Sequence, residues 1–301
     1  MKTRSNENKK YLKDLNKIAK KVDKFLKAFL SSQKKNSYLM NPIRYGIFSG
    51  GKRFRAAIIF YTGKIFNINQ KELIMISAAV ECIHAYSLIH DDLPAMDNDE
   101  LRRGKLTVHK KFNEFTAILA GNSLLTLAFE ILSSKNLKLS NNIKVQLINL
   151  LSNCSGHSGI AGGQFSDLNF ENKKKSFKKI IDMQNKKTGE LFSFCCESPT
   201  IIKQKDKKTR NLFKKIGLDI GLLFQLADDL LDYKGNTKVL GKPTKSDKKK
   251  GKATLINLMG YSKTLNFAND LKKNIINRLK KYGIKSNHLV SSINFILNRE
   301  F

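Results

Sequence analysis

Proline occurs only four times in 301 residues, and no run rich in proline, glycine or serine divides the chain. With so few breaks the sequence reads as one domain over residues 1–301, long enough to bury a sizeable core. Cysteine is as sparse: Cys82, Cys154, Cys195 and Cys196 follow no CxxC or His/Cys spacing, and two of them are adjacent. Neither a structural zinc site nor a disulfide framework is expected, which suits a reducing cytoplasm. The amino terminus, MKTRSNENKKYLKDLNKI, lacks an apolar core and a small-residue cleavage site, so it does not read as a signal peptide. Uninterrupted apolar runs are missing too. FTAILAGNSLLTLAFEIL, residues 115–132, carries Asn122, Ser123 and Glu130, and falls short of the roughly 18 apolar residues a membrane span needs. The expectation is a soluble, cytoplasmic protein with no membrane span.

Arginine is scarce relative to lysine. The formal net charge is +31, yet only nine of the 56 basic residues are arginine. The lysines fall in short pairs and triplets such as Lys34-Lys35, Lys173 to Lys175 and Lys248 to Lys250, the pattern of solvated helix faces. No specific nucleic-acid partner is expected, only salt-sensitive attraction to polyanions or anionic lipid.

Apolar residues recur at three- and four-residue spacing, beginning with Leu12, Leu15, Ile18, Ala19 and Val22. Strict alternation is rare, so the fold class is all-α, a single-domain helical bundle around a central cavity. The spacing predicts helices near 8–31, 51–66, 71–93, 113–135, 141–161, 175–198, 208–233, 263–282 and 287–299. Segments 72–93, 115–132 and 216–231 are apolar on more than one face and belong at the centre. Residues 235–253 form the long break.

Two acidic clusters stand at the ends of central helices. LIHDDLPAMD, residues 88–97, sets Asp91, Asp92 and Asp97 after an apolar run, and GLLFQLADDLLDY, residues 221–233, sets Asp228, Asp229 and Asp232. An ionised carboxylate at the edge of a buried segment demands a counter-charge, a hydrogen-bond network or a metal. Pro94 disfavours helix before it, so Asp97 can swing back toward Asp91 from a loop. Asp228 and Asp232, four apart, share one helix face. A lone DD is most often a cap or a solvated turn. Two in matched apolar contexts can face one another across a cavity, and an oxygen-only donor set favours Mg²⁺, which keeps positions open for substrate phosphate.

Basic groups suited to phosphate lie in SGGKRFRA, residues 49–56, with Lys52, Arg53 and Arg55 beside two glycines; in LRRGK, with Arg102 and Arg103; and in NKKTGE, with Lys187 and Thr188. Singly each is an ordinary surface charge. Together they can serve two phosphorylated substrates.

Through GGKRFR, ECIHAYSLIHDDLPAMDNDELRRGK, AGGQFSDL, KTGELF, FQLADDLLD and LGKP followed by Lys252, the chain resembles the trans-isoprenyl diphosphate synthases (polyprenyl synthetases), most closely those of bacteria that make farnesyl diphosphate. The likeness runs from about residue 40 to the end. It implies that Asp91 and Asp97, with Asp92, and Asp228, with Asp229 and Asp232, hold up to three Mg²⁺ on an allylic diphosphate, Mn²⁺ being a possible substitute; Asp91, Asp97 and Asp228 are the metal ligands. It implies that Arg102, Lys187, Thr188, Gln225, Lys242 and Lys252 contact that diphosphate and its leaving group, and that Lys52, Arg55, His84 and Arg103 hold isopentenyl diphosphate. His84 alone would be a core or capping histidine. Gln164 and Asp167 would support the active-site wall. Tyr86 and Ser87, just before the first cluster, would set product length, an aromatic ring there closing the floor of the chain tunnel. The implied reaction joins isopentenyl diphosphate to dimethylallyl and then geranyl diphosphate by ionisation, condensation and proton loss, in a homodimer.

A geranyl or geranylgeranyl synthase, or a non-catalytic regulatory subunit, are the alternatives. A terpene cyclase would lack the GGKRFR site, and a regulatory subunit would typically degrade one acidic motif, whereas both stand here. Asn122, Asn169, Lys245 and Leu255 depart from the family pattern without removing a proposed ligand.

Overall fold

The apolar spacing at the start of the chain becomes one long helix, α1 (Lys2–Ser32), in the computed structural model, which describes residues 2–32, 38–235 and 251–298. Its apolar row, Tyr11, Leu15, Ile18, Val22, Leu26 and Leu30, is buried. There follow α2 (Met40–Ile47), α3 (Phe54–Ile65) and α4 (Gln70–Asp91), then a hairpin of β1 (Leu101–Arg102) and β2 (Lys105–Leu106), then α5 (Val108–Lys111), α6 (Glu114–Ser133) and α7 (Asn141–Ser155). The second half continues with α8 (Ile160–Phe170), α9 (Phe177–Gln184), a π-helical turn at Asn185–Gly189, α10 (Glu190–Ile202), α11 (Lys207–Lys234), α12 (Leu255–Met259), α13 (Tyr261–Leu279), a 3₁₀ segment at Lys280–Ser286 and α14 (Asn287–Leu297). The two-residue strands are the only sheet among the described residues. The fold class is all-α, as expected.

Contacts divide the chain into two compact units, Met1–Ile148 and Asn149–Phe301, with the boundary inside α7. In the first, α4 is the core element. Ala78, Ala79, Val80 and Ile83 are fully enclosed, and the helix packs on α1, α2, α3 and α6. Asn69 caps it by accepting from the Lys71 N–H at 2.9 Å, and Asn113 caps α6 by accepting from the Thr116 N–H at 2.9 Å. In the second unit α11 is central and packs on α10, α13 and α14 around Phe192, Phe213, Ile216, Leu223, Ile275 and Leu289, all at 0 % exposure.

Three departures from the expected helices have local causes. The run predicted over 141–161 stops at Ser155 and resumes at Ile160, because Gly156 and Gly159 support a turn in which the Gly159 N–H donates to the Gly156 carbonyl at 3.0 Å. The helix predicted over 175–198 extends to Ile202 and carries the π turn. The short helix α2 escaped the apolar pattern because Pro42 sits in its first turn, where a missing N–H costs nothing. By length and mean hydropathy α4 and α6 could each cross a membrane, since three scattered polar residues do not lower an 18-residue average far enough. The α4 window is 78 % buried inside the protein and the α6 window 39 %.

Candidate active site

In the first unit α4 ends at Asp91, and Asp92 caps it. The chain then folds back on itself as anticipated. The Asp97 N–H donates to the Asp91 carbonyl at 2.8 Å and the Asp99 N–H to the Asp92 carbonyl at 3.2 Å, with Asn98 in the left-handed region at φ 51°. Asp91 and Asp97 are thus neighbours through the backbone. Asp92 plays a different part. Its buried carboxylate receives Arg102 Nε at 2.7 and 2.9 Å, and Arg102 Nη2 also bonds to it. Burial pushes the Asp92 carboxyl up and pulls the guanidinium down; on Arg102 the hydrogen bonds and charge of Asp92, helped by Asp99 at 3.5 Å, prevail and hold it above its ordinary value. The two meet as an ion pair.

Arg102 lies on the hairpin, whose turn is Arg103-Gly104 with φ 54° and 75°, the doubly positive turn that suits the twist of a two-residue loop. The turn aims Arg103 at the GGKRFR loop, where its Nη1 donates to the Gly50 carbonyl. Arg55 Nη1 lies 3.3 Å from His84 Nε2. Crowding by protein, then the charges of Arg55, Arg103, Arg53 and Arg102, hold the His84 imidazolium pKa well below its ordinary value, so the ring is neutral at pH 7. Desolvation and the neighbouring guanidiniums likewise lower Arg103 to about 10, against the opposite pull of Glu81. Arg55, Arg102 and Arg103 therefore form one cationic group around the neutral His84, with the exposed Lys52 on the same loop as Arg55. Such repulsion is relieved when a polyanion binds.

Arg53, which the sequence offered for phosphate along with Lys52 and Arg55, is instead spent on a buried scaffold that sequence reasoning missed. Arg53, 7 % exposed and left-handed at φ 52°, starts α3. It bonds to Asp23 at 2.9 Å, Glu81 at 3.2 Å and the Ile47 carbonyl at 2.6 Å, and Glu81 also accepts from the Ala56 N–H at 3.3 Å. Glu81 was visible in the sequence as a single acid inside ISAAVECIHAYSLI, a charge that could not lie there without a partner.

Tyr86 is buried and meets the His90 ring edge to face at 5.7 Å; burial first, then Asp91, pushes its phenol up to about 12. The Ser87 hydroxyl donates to the His84 carbonyl at 3.0 Å, turning back along its own helix.

In the second unit Asp228 is half-buried near the end of α11, and Asp229 and Asp232 are buried. Gln225 Nε2 donates to Asp229 at 2.8 Å and Gln184 Nε2 at 3.4 Å, while the Thr188 hydroxyl donates to Gln225 Oε1 at 3.4 Å. Gln184 was not foreseen. Lys187 and Thr188 sit on the π turn, a form that recurs at functional sites. That turn is held by close approach: a Cβ on Gly163 of α8 would lie 2.1 Å from the Lys187 nitrogen, and one on Gly221 of α11 would lie 2.6 Å from the Gly189 Cα. Lys187 and Lys252 converge on Asp167, at 2.6 and 2.8 Å, and Lys252 also reaches Glu171 at 3.2 Å. Burial raises the Asp167 carboxyl, but the two ammonium groups outweigh it and leave it below its ordinary range. Gln164 beside it is buried, with both amide atoms unpartnered among the described residues. Lys242 and Lys245 lie outside the described residues. Asn122 and Asn169 are exposed, and Leu255 is buried.

Each unit therefore offers carboxylates at a helix end and cations held by carboxylate partners. Among the described residues no group of three or more His, Cys, Asp or Glu closes on one point.

Residues 36–291 match the family described as Polyprenyl synthetase. The chain is 39 % identical over 263 residues to the farnesyl diphosphate synthase of Micrococcus luteus, covering 87 % of this chain and 90 % of the relative. It is 38 % identical over 269 residues to the farnesyl diphosphate synthase of Escherichia coli, covering 88 % and 90 %. Among solved structures, an FPP/GFPP synthase from Zymomonas mobilis superposes with a TM-score of 0.86 at 36 % identity, covering 95 % of this chain and 98 % of that one. A geranyltransferase from Helicobacter pylori, complexed with magnesium and isoprenyl diphosphate, gives 0.80 at 31 % identity, covering 96 % of each.

Proposed function

The chain belongs to the polyprenyl synthetase family, and from that membership we propose that it is a prenyltransferase making farnesyl diphosphate from isopentenyl diphosphate and an allylic primer, dimethylallyl or geranyl diphosphate. The observation that carries the reading is an acidic helix end in each unit, with Arg102 held by Asp92 in the first and Lys187 and Lys252 held by Asp167 in the second, together with the names its relatives bear.

Asp91 and Asp97 in the first unit and Asp228 in the second are the proposed Mg²⁺ ligands. All are carboxylates, and a magnesium-bound relative supports the choice of metal. Bound Mg²⁺ supplies positive charge that stabilises a departing pyrophosphate. Asp92 is assigned to hold the Arg102 guanidinium in place, and Asp229 to orient Gln225. Lys187, Thr188, Gln225 and Lys252, with Arg102 and Lys242, receive the leaving oxygens. Their hydrogen bonds strengthen as negative charge develops, which lowers the barrier to carbon–oxygen cleavage. Lys52, Arg55, neutral His84 and Arg103 hold the diphosphate of isopentenyl diphosphate. Its double bond attacks the allylic carbocation, forming the new carbon–carbon bond, and a proton passes to the released pyrophosphate. No side-chain nucleophile is needed. Apolar walls keep water from quenching the cation, and the Tyr86 ring sets the tunnel floor.

The chain is proposed to act as one functional domain in a cytoplasmic homodimer. The exposed apolar residues Phe115, Ile118 and Leu119 on one side of α6, 66, 43 and 48 % exposed, support the dimer. The test is condensation of isopentenyl and geranyl diphosphates with and without chelator, in the wild type, Asp91→Asn and Asp228→Asn. Each variant and the chelated wild type should lose about a thousand-fold or more in turnover, on the scale of a lost electrostatic stabiliser. Full activity in chelator would refute the reading.

A further inference from the structure

Opposite its buried row, the outer face of α1 carries charge of one sign. Between Lys9 and Lys27 there are eight lysines, all exposed. At about 100° per residue they fall within an arc of about 120°, centred opposite the buried row from Tyr11 to Leu30. Asp14 and Asp23, the only acids in that stretch, flank the arc and do not interrupt it. Asp14 takes Lys17 at 3.4 Å, and Asp23 is committed to Arg53. The lysines recur three and four apart, a spacing that disfavours the helix through like-charge repulsion. A solvated face would interleave acids with these lysines. This one leaves its repulsion to be relieved by an external anion.

We propose that the lysine face of α1 is a docking surface for an anionic lipid bilayer, with the helix lying along the headgroups. The row runs about 27 Å along the helix at 1.5 Å per residue, an elongated shape suited to lying along a plane. The arc holds no arginine to clasp single phosphates and no aromatic to stack a base: Phe25 and Phe29 are half-buried and stack on each other beside it. Lysine ammoniums are hydrated point charges that act through the surface potential of a membrane rather than by individual contacts. The apolar side of α1 is spent on the core, so attachment is electrostatic and non-inserting. One consequence rests on the preceding reading: docking would release the amphiphilic product where its tail partitions.

The experiment is flotation of the full-length protein with vesicles of equal parts phosphatidylglycerol and phosphatidylcholine, and with phosphatidylcholine alone, at about 0.1 M and about 0.5 M salt. The wild type binds the anionic vesicles at low salt only. K13Q/K17Q/K20Q/K24Q, which keeps helix-favouring side chains, lowers partitioning about ten-fold or more with prenyltransferase activity in solution unchanged. K173Q/K174Q/K178Q/K179Q removes the same charge from exposed positions elsewhere and stays within about two-fold of the wild type. Three results would each overturn the proposal: no binding to anionic vesicles at low salt, an equal loss in both variants, or tighter binding to duplex DNA than to vesicles at matched phosphate. Activity is read separately, so failure of the docking face and failure of the prenyltransferase reading cannot be confused.

Discussion

At the scale of single residues, His84 shows how context decides chemistry. By itself a histidine in an apolar helix is a core or capping residue. Here Arg55 stands 3.3 Å from its ring, and three further guanidiniums add to the desolvation that keeps it neutral. The sign of the pH effect follows. A folded pKa below the unfolded value of about 6.5 means that the stabilising contribution is complete above that pH and is lost as pH falls toward the folded pKa. His84→Gln should therefore lose less stability than the wild type between about pH 7.5 and 5, read from urea midpoints across that range. Parallel curves would show that the ring is not suppressed. The sequence announced the first acidic motif, its return toward Asp91 and the cations around it. It also contained Glu81, an acid where no acid can lie unpaired, but its partner Arg53, shared with Asp23 of α1, is distant in the chain and only the fold reveals the group.

At the scale of elements, helices with one-sided apolar patterns were legible and those shaped by backbone contact were not. The amphipathic α1 and the apolar α4 and α6 lie close to their expected ranges. The π turn at Asn185–Gly189 left no periodic signal, because it arises from the close approach of α8 and α11 through Gly163 and Gly221. Its role can be tested at one atom. In Gly163→Ala the new Cβ would lie 2.1 Å from the Lys187 nitrogen, so the turn must move. The expected cost is about 1–3 kcal/mol of stability from overpacking. Displacing Lys187 should lower kcat by about a hundred-fold, as a misplacement of about 1 Å can. Thermal melts and steady-state rates measure both, and a variant with wild-type kcat would separate the turn from catalysis.

At the scale of the whole molecule, composition was a poor guide to partners and a good guide to class. A charge of +31 suggested polyanions, yet Arg102 is tied to Asp92 of the first acidic motif and Lys187 to Asp167, while a separate lysine face lies on α1. The unbroken apolar run that a membrane span needs was missing, but α6 still keeps a partly uncovered apolar side. Leu119→Glu should convert the proposed dimer to monomer in sedimentation equilibrium, and an unchanged mass would place any subunit contact elsewhere. The central claim is prenyl condensation to farnesyl diphosphate with Tyr86 as the floor, and it is met most directly by one assay: wild type and Tyr86→Ala incubated with Mg²⁺, isopentenyl diphosphate and geranyl diphosphate, with the products separated by chain length. Farnesyl diphosphate from the wild type and longer products from the variant are predicted; identical profiles would contradict the floor, and absence of condensation in the wild type would contradict the account as a whole.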